Sequence, residues 1–257
     1  MADQPEVTDG GHMTLMEHLG ELRKRLIICV IAVVVCTIIM FFLYNRILHF
    51  LSGPYEEVTK GNTSCGGTKF PKETGCKLIV TGVLDPFLIR LKIAGYGGIA
   101  LSVPIIFWEI WRFVTPALKK NERKYAVMFG ISSVLLFLLG VVVAWFTISA
   151  ALTFLLSVGG NSLATFIAAD KYLTLVMLML AAFGVAFEFP ILIVFLLLVR
   201  VVNTRQLRHA RRWVAVGITI FAAVITPSQD PFSLLLMAIP MYIFYEISII
   251  IGRFMKR

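Results

Sequence analysis

Charge is scarce in this sequence, and negative charge scarcer still. Of 257 residues, 15 are Asp or Glu and 24 are Lys or Arg; charged residues make up 15% of the chain and hydrophobic ones 58%. Soluble domains usually run about 45–50% apolar and about 25% charged, so this composition excludes one. Catalytic patterns are missing as well. There is no HExxH, no GxSxG and no Walker A loop. The four histidines, His12, His18, His49 and His209, pair with no carboxylate at metal-ligand spacing inside an apolar run, and Ser132 and Ser133 have no histidine at their depth to serve as a base. These absences argue against an enzyme, a metal site, a cofactor or an ATP-driven pump. The first apolar run has no basic n-region before it and is too long for a secretory h-region, so it is expected to stay in the mature protein.

What the chain has instead is a series of apolar runs near the ~20 residues needed to cross about 30 Å of hydrocarbon. The expected fold class is all-α, a polytopic membrane protein of six spans at about 26–44, 88–108, 125–148, 172–199, 213–226 and 232–252. Residues 1–12, "MADQPEVTDGGH", form a polar N-terminal tail expected to be disordered. Residues 13–252 form the membrane domain, with a long extracytoplasmic loop at 45–87, and 253–257 form a cytoplasmic tail. Basic residues fall mainly between alternate spans: sixteen of the 24 lie on the side of the N-terminus. The positive-inside rule then places both termini in the cytoplasm. Topology also accounts for the net charge of +9, so no nucleic-acid partner is expected. Arg90 and Lys92 are expected to snorkel outward from the start of the second span. The fifth run, "VAVGITIFAAVI", is short, about 18 Å as a helix. A re-entrant hairpin and a short span that thins the bilayer both fit it.

Cys29 and Cys36 lie seven apart on one face of the first span and read as packing residues. Cys65 and Cys76 flank "GGTKFPKETG" in the first outer loop. On an oxidising side of the membrane that pair is a disulfide candidate.

Two acidic positions stand out. Glu188, in "AFGVAFEFPIL", lies deep in the fourth span, where a charged group costs roughly 2.5–3.5 kcal/mol on insertion scales. Pro190 removes a backbone donor just after it and should kink the helix. A satisfied interior carboxyl, a proton relay and a docking point for a partner's transmembrane helix all fit. Glu21 sits in "MEHLGELRKRL" among Arg23, Lys24 and Arg25. It can pair with Arg25 one turn on, a contact of about 0.3–0.5 kcal/mol. It can also await a cation from elsewhere. Outside the tail, the cytoplasmic acids are Glu17, Glu21, Glu109 and Glu122, while residues 200–213 hold five Arg and no acid. A carboxylate meets Arg's planar fork in a bidentate geometry that Lys cannot reproduce.

The ordered set "HLGELRKRL" (18–26), "GPY" (53–55), "SVPIIFWEIWRFVTPALKKNERK" (102–124), "FGVAFEFP" (183–190) and "LLLMAIPMY" (234–242) resembles the TatC subunit of the twin-arginine protein translocase. The likeness covers nearly the whole chain after residue 13. The first outer loop is longer than is usual in the family, and a sixth-span position that is polar in some members falls on Leu234. The resemblance implies a cupped six-helix bundle with short fifth and sixth spans, in a bacterial inner membrane. It implies a core subunit that binds arginine-pair signal peptides of folded cargo at the cytoplasmic face and exports that cargo with the proton-motive force. Implied partners are small single-span subunits of the TatA/TatB type and further copies of itself. Implied site residues are Glu21, Arg23, Phe113, Pro116 and Glu122, with Glu188 in partner-helix contact. From another class, a proton-coupled small-molecule transporter using Glu188 is the alternative. Six spans without an evident internal repeat speak mildly against it.

Overall fold

The structure, a computed structural model, describes residues 15–59, 64–65, 68–69, 78–114, 125–158, 167–228 and 230–254. They form eight helices: α1 (Leu15–Phe42), α2 (Tyr44–Thr59), α3 (Asp85–Val114), α4 (Tyr125–Val158), α5 (Ala169–Ala186), α6 (Phe189–Leu198), α7 (Thr204–Ile225) and α8 (Pro231–Phe254). A two-residue antiparallel pair, β1 (Ser64–Cys65) with β2 (Thr68–Lys69), lies between α2 and α3. Five stretches are long and apolar enough to cross a membrane: His18–Phe42, Asp85–Val114, Val127–Ser157, Ala169–Leu198 and Pro231–Phe254. The fourth joins α5 and α6 into one broken crossing. Large apolar side chains stay exposed along these helices, including Phe42 at 77% and Phe146 at 72%. In water such a surface would associate; in lipid it is ordinary. The chain is therefore an all-α, multi-pass membrane protein.

α7 has the composition of a boundary helix. Its apolar part is the short fifth run, but the helix itself has 22 residues, roughly 33 Å at 1.5 Å per residue. It starts earlier because Asn203 and Gln206 form a capping box at its N-terminus, and the basic segment 205–212 continues the helix into the apolar run. It lies antiparallel to α8. At one end Tyr245 donates to the Leu207 carbonyl at 2.6 Å and Arg211 pairs with Glu246 at 2.6 Å; at the other the Thr226 hydroxyl meets Met237 sulfur at 3.4 Å.

The segment after the first span begins as helix α2 rather than loop, with the "GPY" residues Pro54 and Tyr55 buried. Tyr55 packs on Tyr172, and the Tyr172 hydroxyl donates to the Leu51 carbonyl at 2.8 Å. These contacts seat α2 against the N-terminal end of α5. The segments before α3 and before α5 also meet through a parallel bridge, Ile79 with Ala168.

Arg90 and Lys92, near the start of α3, both have partners on neighbouring helices. Arg90 lies over the Phe41 ring at 4.2 Å and donates to the Phe41 carbonyl at 3.4 Å; Lys92 meets Asp170 at 2.5 Å. α6 ends in a Schellman turn, with Val201 N–H on the Leu196 carbonyl and Arg200 N–H on that of Leu197. Arg200 occupies its left-handed position at φ 63°, where glycine is the usual residue.

Candidate functional site

Helices α1 and α3 pack closely along their length because α3 carries glycine where they touch. A Cβ on Gly98 would lie 2.2 Å from Thr37 Oγ1 and 2.6 Å from Thr37 Cα. Only a bare backbone allows that approach. The contact fixes the register of the two helices, and the register brings the N-terminal part of α1 beside the C-terminal part of α3.

Three of the residues singled out from the sequence lie there. The His18 and Phe113 rings stack with centroids 4.4 Å apart and planes at 21°. Glu21 forms an ion pair with Arg25 one turn along α1, as the local reading of the sequence anticipated. Arg23 points outward and is exposed. Pro116 and Glu122 lie outside the described residues.

Glu109 was counted among the scarce acids but not placed in the site by the sequence. It is buried near the end of α3, and its Oε2 accepts from Arg25 Nη1 at 3.2 Å. Arg25 thus holds a carboxylate from each helix. The side chains of Arg25, Glu109 and Glu21 are 12%, 9% and 24% exposed, so this is a half-sheltered triad rather than a surface pair. Beside it opens a cleft of about 350 Å³, lined by Glu21, Lys24, Arg25, Glu109 and Arg112 among others. Sequence spacing could reveal Glu21–Arg25. It could not reveal a partner 84 residues away, whose position depends on the Gly98 contact.

Glu188 is the second polar feature. Between α5 and α6 the backbone at Phe187 and Glu188 stays in the right-handed region but tightens into a turn, with ψ of −8° and −16°. Glu188 N–H donates to the Val185 carbonyl at 3.1 Å, a tightened i→i−3 bond, and Pro190, at the start of α6, has no N–H for the Ala186 carbonyl. The break puts the carboxyl near Ser133 of α4, whose hydroxyl accepts from Trp111 Nε1 at 2.9 Å. Glu188 Oε1 is buried with no hydrogen-bond partner among the described residues. A half-satisfied carboxyl at this depth is costly. Leu234, by contrast, packs against the hydrophobic core and offers no polar partner.

Cys29 and Cys36 are free thiols in α1. The Cys65–Cys76 pairing lies outside the described residues. No group of three or more His, Cys, Asp or Glu able to hold a metal ion occurs among the described residues.

Comparison with known proteins places this arrangement in a family. Residues 17–240 match the family described as Sec-independent protein translocase protein (TatC). The Sec-independent protein translocase protein TatC of Carboxydothermus hydrogenoformans is 38% identical, over 95% of this chain and 94% of the relative. That of Escherichia coli K12 is 37% identical, over 93% of this chain and 88% of the relative. The chain spans 66% of the longer relative from Frankia casuarinae, at 37% identity. A crystal structure described as the twin arginine translocase receptor TatC superposes with a TM-score of 0.75 at 32% identity, covering 94% of this chain and all of that one. A small-molecule transporter is not favoured by any of these likenesses. The chain belongs to the TatC family of Sec-independent protein translocase proteins.

Proposed function

We propose that this chain is the signal-peptide receptor and core subunit of a twin-arginine translocase in a bacterial inner membrane, with both termini in the cytoplasm. Peptides with consecutive arginines dock where the N-terminal part of α1 meets the end of α3 and the loop after it. Glu21 supplies a carboxylate to the guanidinium groups and Phe113 an aromatic face, with Arg23 exposed beside them; the family resemblance assigns Pro116 and Glu122 to the same task, Glu122 as the second carboxylate. One observation carries this reading: on a face dominated by base, α1 and α3 converge to set carboxylates around an open cleft beside the His18–Phe113 stack. Two carboxylates on separate segments suit a pair of planar forks. Small single-span subunits and further copies of the chain are the assembly partners. Glu188 docks a partner helix, for which its unpaired oxygen supports the reading. The family resemblance assigns the proton-motive force as the energy source for transport, and the absence of a Walker A loop is consistent with that assignment.

The test is photocrosslinking of an arginine-pair signal peptide to Glu21→Ala, Glu122→Ala and the double variant in native membranes. Each single change weakens crosslinking while the protein stays inserted. Unchanged crosslinking in the double variant sinks the recognition role. Glu21→Asp is milder, because charge survives and only reach is lost.

A further inference from the structure

We infer that Glu109 is a further arginine-binding carboxylate of this site, and that Arg25 is a resident guanidinium holding the Glu21–Glu109 pair until a cargo arginine replaces it. The inference rests on the receptor reading above and assigns it a mechanism of selection.

Glu21 Oε2 and Arg25 Nε are buried without hydrogen-bond partners among the described residues. An ionised carboxylate has about four acceptor sites and a guanidinium has five N–H donors, yet the structure gives Arg25 one contact with each acid. A bridge built only for stability would fill these positions, because unmade hydrogen bonds in sheltered sites are costly. The spare acceptor capacity lies beside the 350 Å³ cleft that Glu21, Lys24, Arg25, Glu109 and Arg112 line.

The charge balance explains why a resident arginine is useful. The cleft sets two carboxylates against three cations. Without Arg25 between them, Glu21 and Glu109 would face each other in a half-buried place, and breaking such an arrangement by removing one partner is strongly unfavourable. Exchanging one guanidinium for another avoids that state. As a cargo arginine moves in, Arg25 swings toward solvent and the acids are never left bare.

The same geometry separates Arg from Lys. Arg25 reaches acids on two helices with two different nitrogens, Nη2 to Glu21 and Nη1 to Glu109. A lysine brings one ammonium on a flexible stem and no planar fork. A lysine pair therefore displaces Arg25 poorly, although its charge is the same.

The experiment uses the full chain in lipid nanodiscs, with two fluorescent synthetic peptides that differ only in an arginine pair or a lysine pair. Glu109→Gln keeps the volume of the side chain and removes its charge. It weakens binding of the arginine-pair peptide roughly tenfold or more, the equivalent of one charged hydrogen bond. Arg25→Lys keeps the charge but weakens the competitor, so the arginine-pair peptide binds several-fold tighter, and the gain disappears in the Arg25→Lys/Glu109→Gln double variant. Wild-type affinity in Glu109→Gln overturns the inference. So does weaker binding in Arg25→Lys, which would make Arg25 a positioning residue for the acids. Wild-type protein that binds neither peptide overturns the receptor reading and this inference with it. A wild-type preference for arginine that survives Glu109→Gln unchanged overturns this inference alone.

Discussion

Gly98→Ala should loosen the recognition site from a distance. The added Cβ would stand 2.2 Å from Thr37 Oγ1, 2.6 Å from Thr37 Cα and 2.7 Å from Thr37 N. Carbon contacts prefer about 3.5–4.0 Å, and two of these atoms are backbone that no rotamer can move. Helices α1 and α3 must therefore part by about 1 Å at this point, an overpacking cost of about 1–3 kcal/mol. Glu109 is eleven residues further along α3, roughly 16 Å away. Its contact with Arg25, at 3.2 Å, has little slack before it leaves hydrogen-bonding range. The expected outcome is a melting temperature lower by about 2–4 °C for each kcal/mol, with weaker arginine-pair peptide binding. Gly95 is the internal control on the same helix: a Cβ there meets nothing within 4 Å, so Gly95→Ala is neutral or gains up to about 1 kcal/mol of helix propensity. Thr37→Ala should not rescue Gly98→Ala, because the backbone clashes remain. Differential scanning fluorimetry in detergent and peptide anisotropy read both effects. Gly98→Ala behaving like Gly95→Ala would refute the close-packing argument.

Three further outcomes are expected. Glu188→Gln retains much of the crosslinking to a partner helix while Glu188→Ala loses it, since the amide keeps donor and acceptor at nearly equal volume; a Gln variant that keeps contact but abolishes export would assign proton handling instead. Cys65 and Cys76 resist alkylation without reductant in mass spectrometry, in line with about 3 kcal/mol from closing a short loop in the entropy model; two labelled thiols would show that they are unpaired. Arg200→Gly raises the melting temperature by a few degrees, because glycine occupies the left-handed position at φ 63° without the Cβ conflict, and an unchanged or lower value would mean the arginine side chain compensates for the strain.

The spans were legible because lipid demands long apolar runs, and the sequence shows them without any knowledge of packing. A kink beside Glu188 was legible from Pro190, though not the division of that span into α5 and α6. Helix α7 was underread, since its first turns are basic and a count of apolar residues starts only at Val214. Helix α2 was hidden by Gly53 and Pro54, residues that usually interrupt a helix, and by its amphipathic rather than apolar character. In the site, Glu21 announced itself by local charge contrast, and its pairing with Arg25 follows from helical spacing. Glu109 did not. Its partner sits on another helix, and only the tight α1–α3 contact at Gly98 brings the two together. Local chemistry can be read from spacing, whereas a buried pairing between distant segments needs the packing that sets their register.

The most direct test of the account is the affinity of the full chain, in nanodiscs, for a signal peptide with consecutive arginines against the same peptide with consecutive lysines. The account predicts tight binding of the first and binding roughly tenfold weaker or more for the second, with the difference much reduced when Glu21 and Glu122 are both changed to alanine. Equal affinity for the two peptides, or a preference undiminished by the loss of both acids, would contradict it.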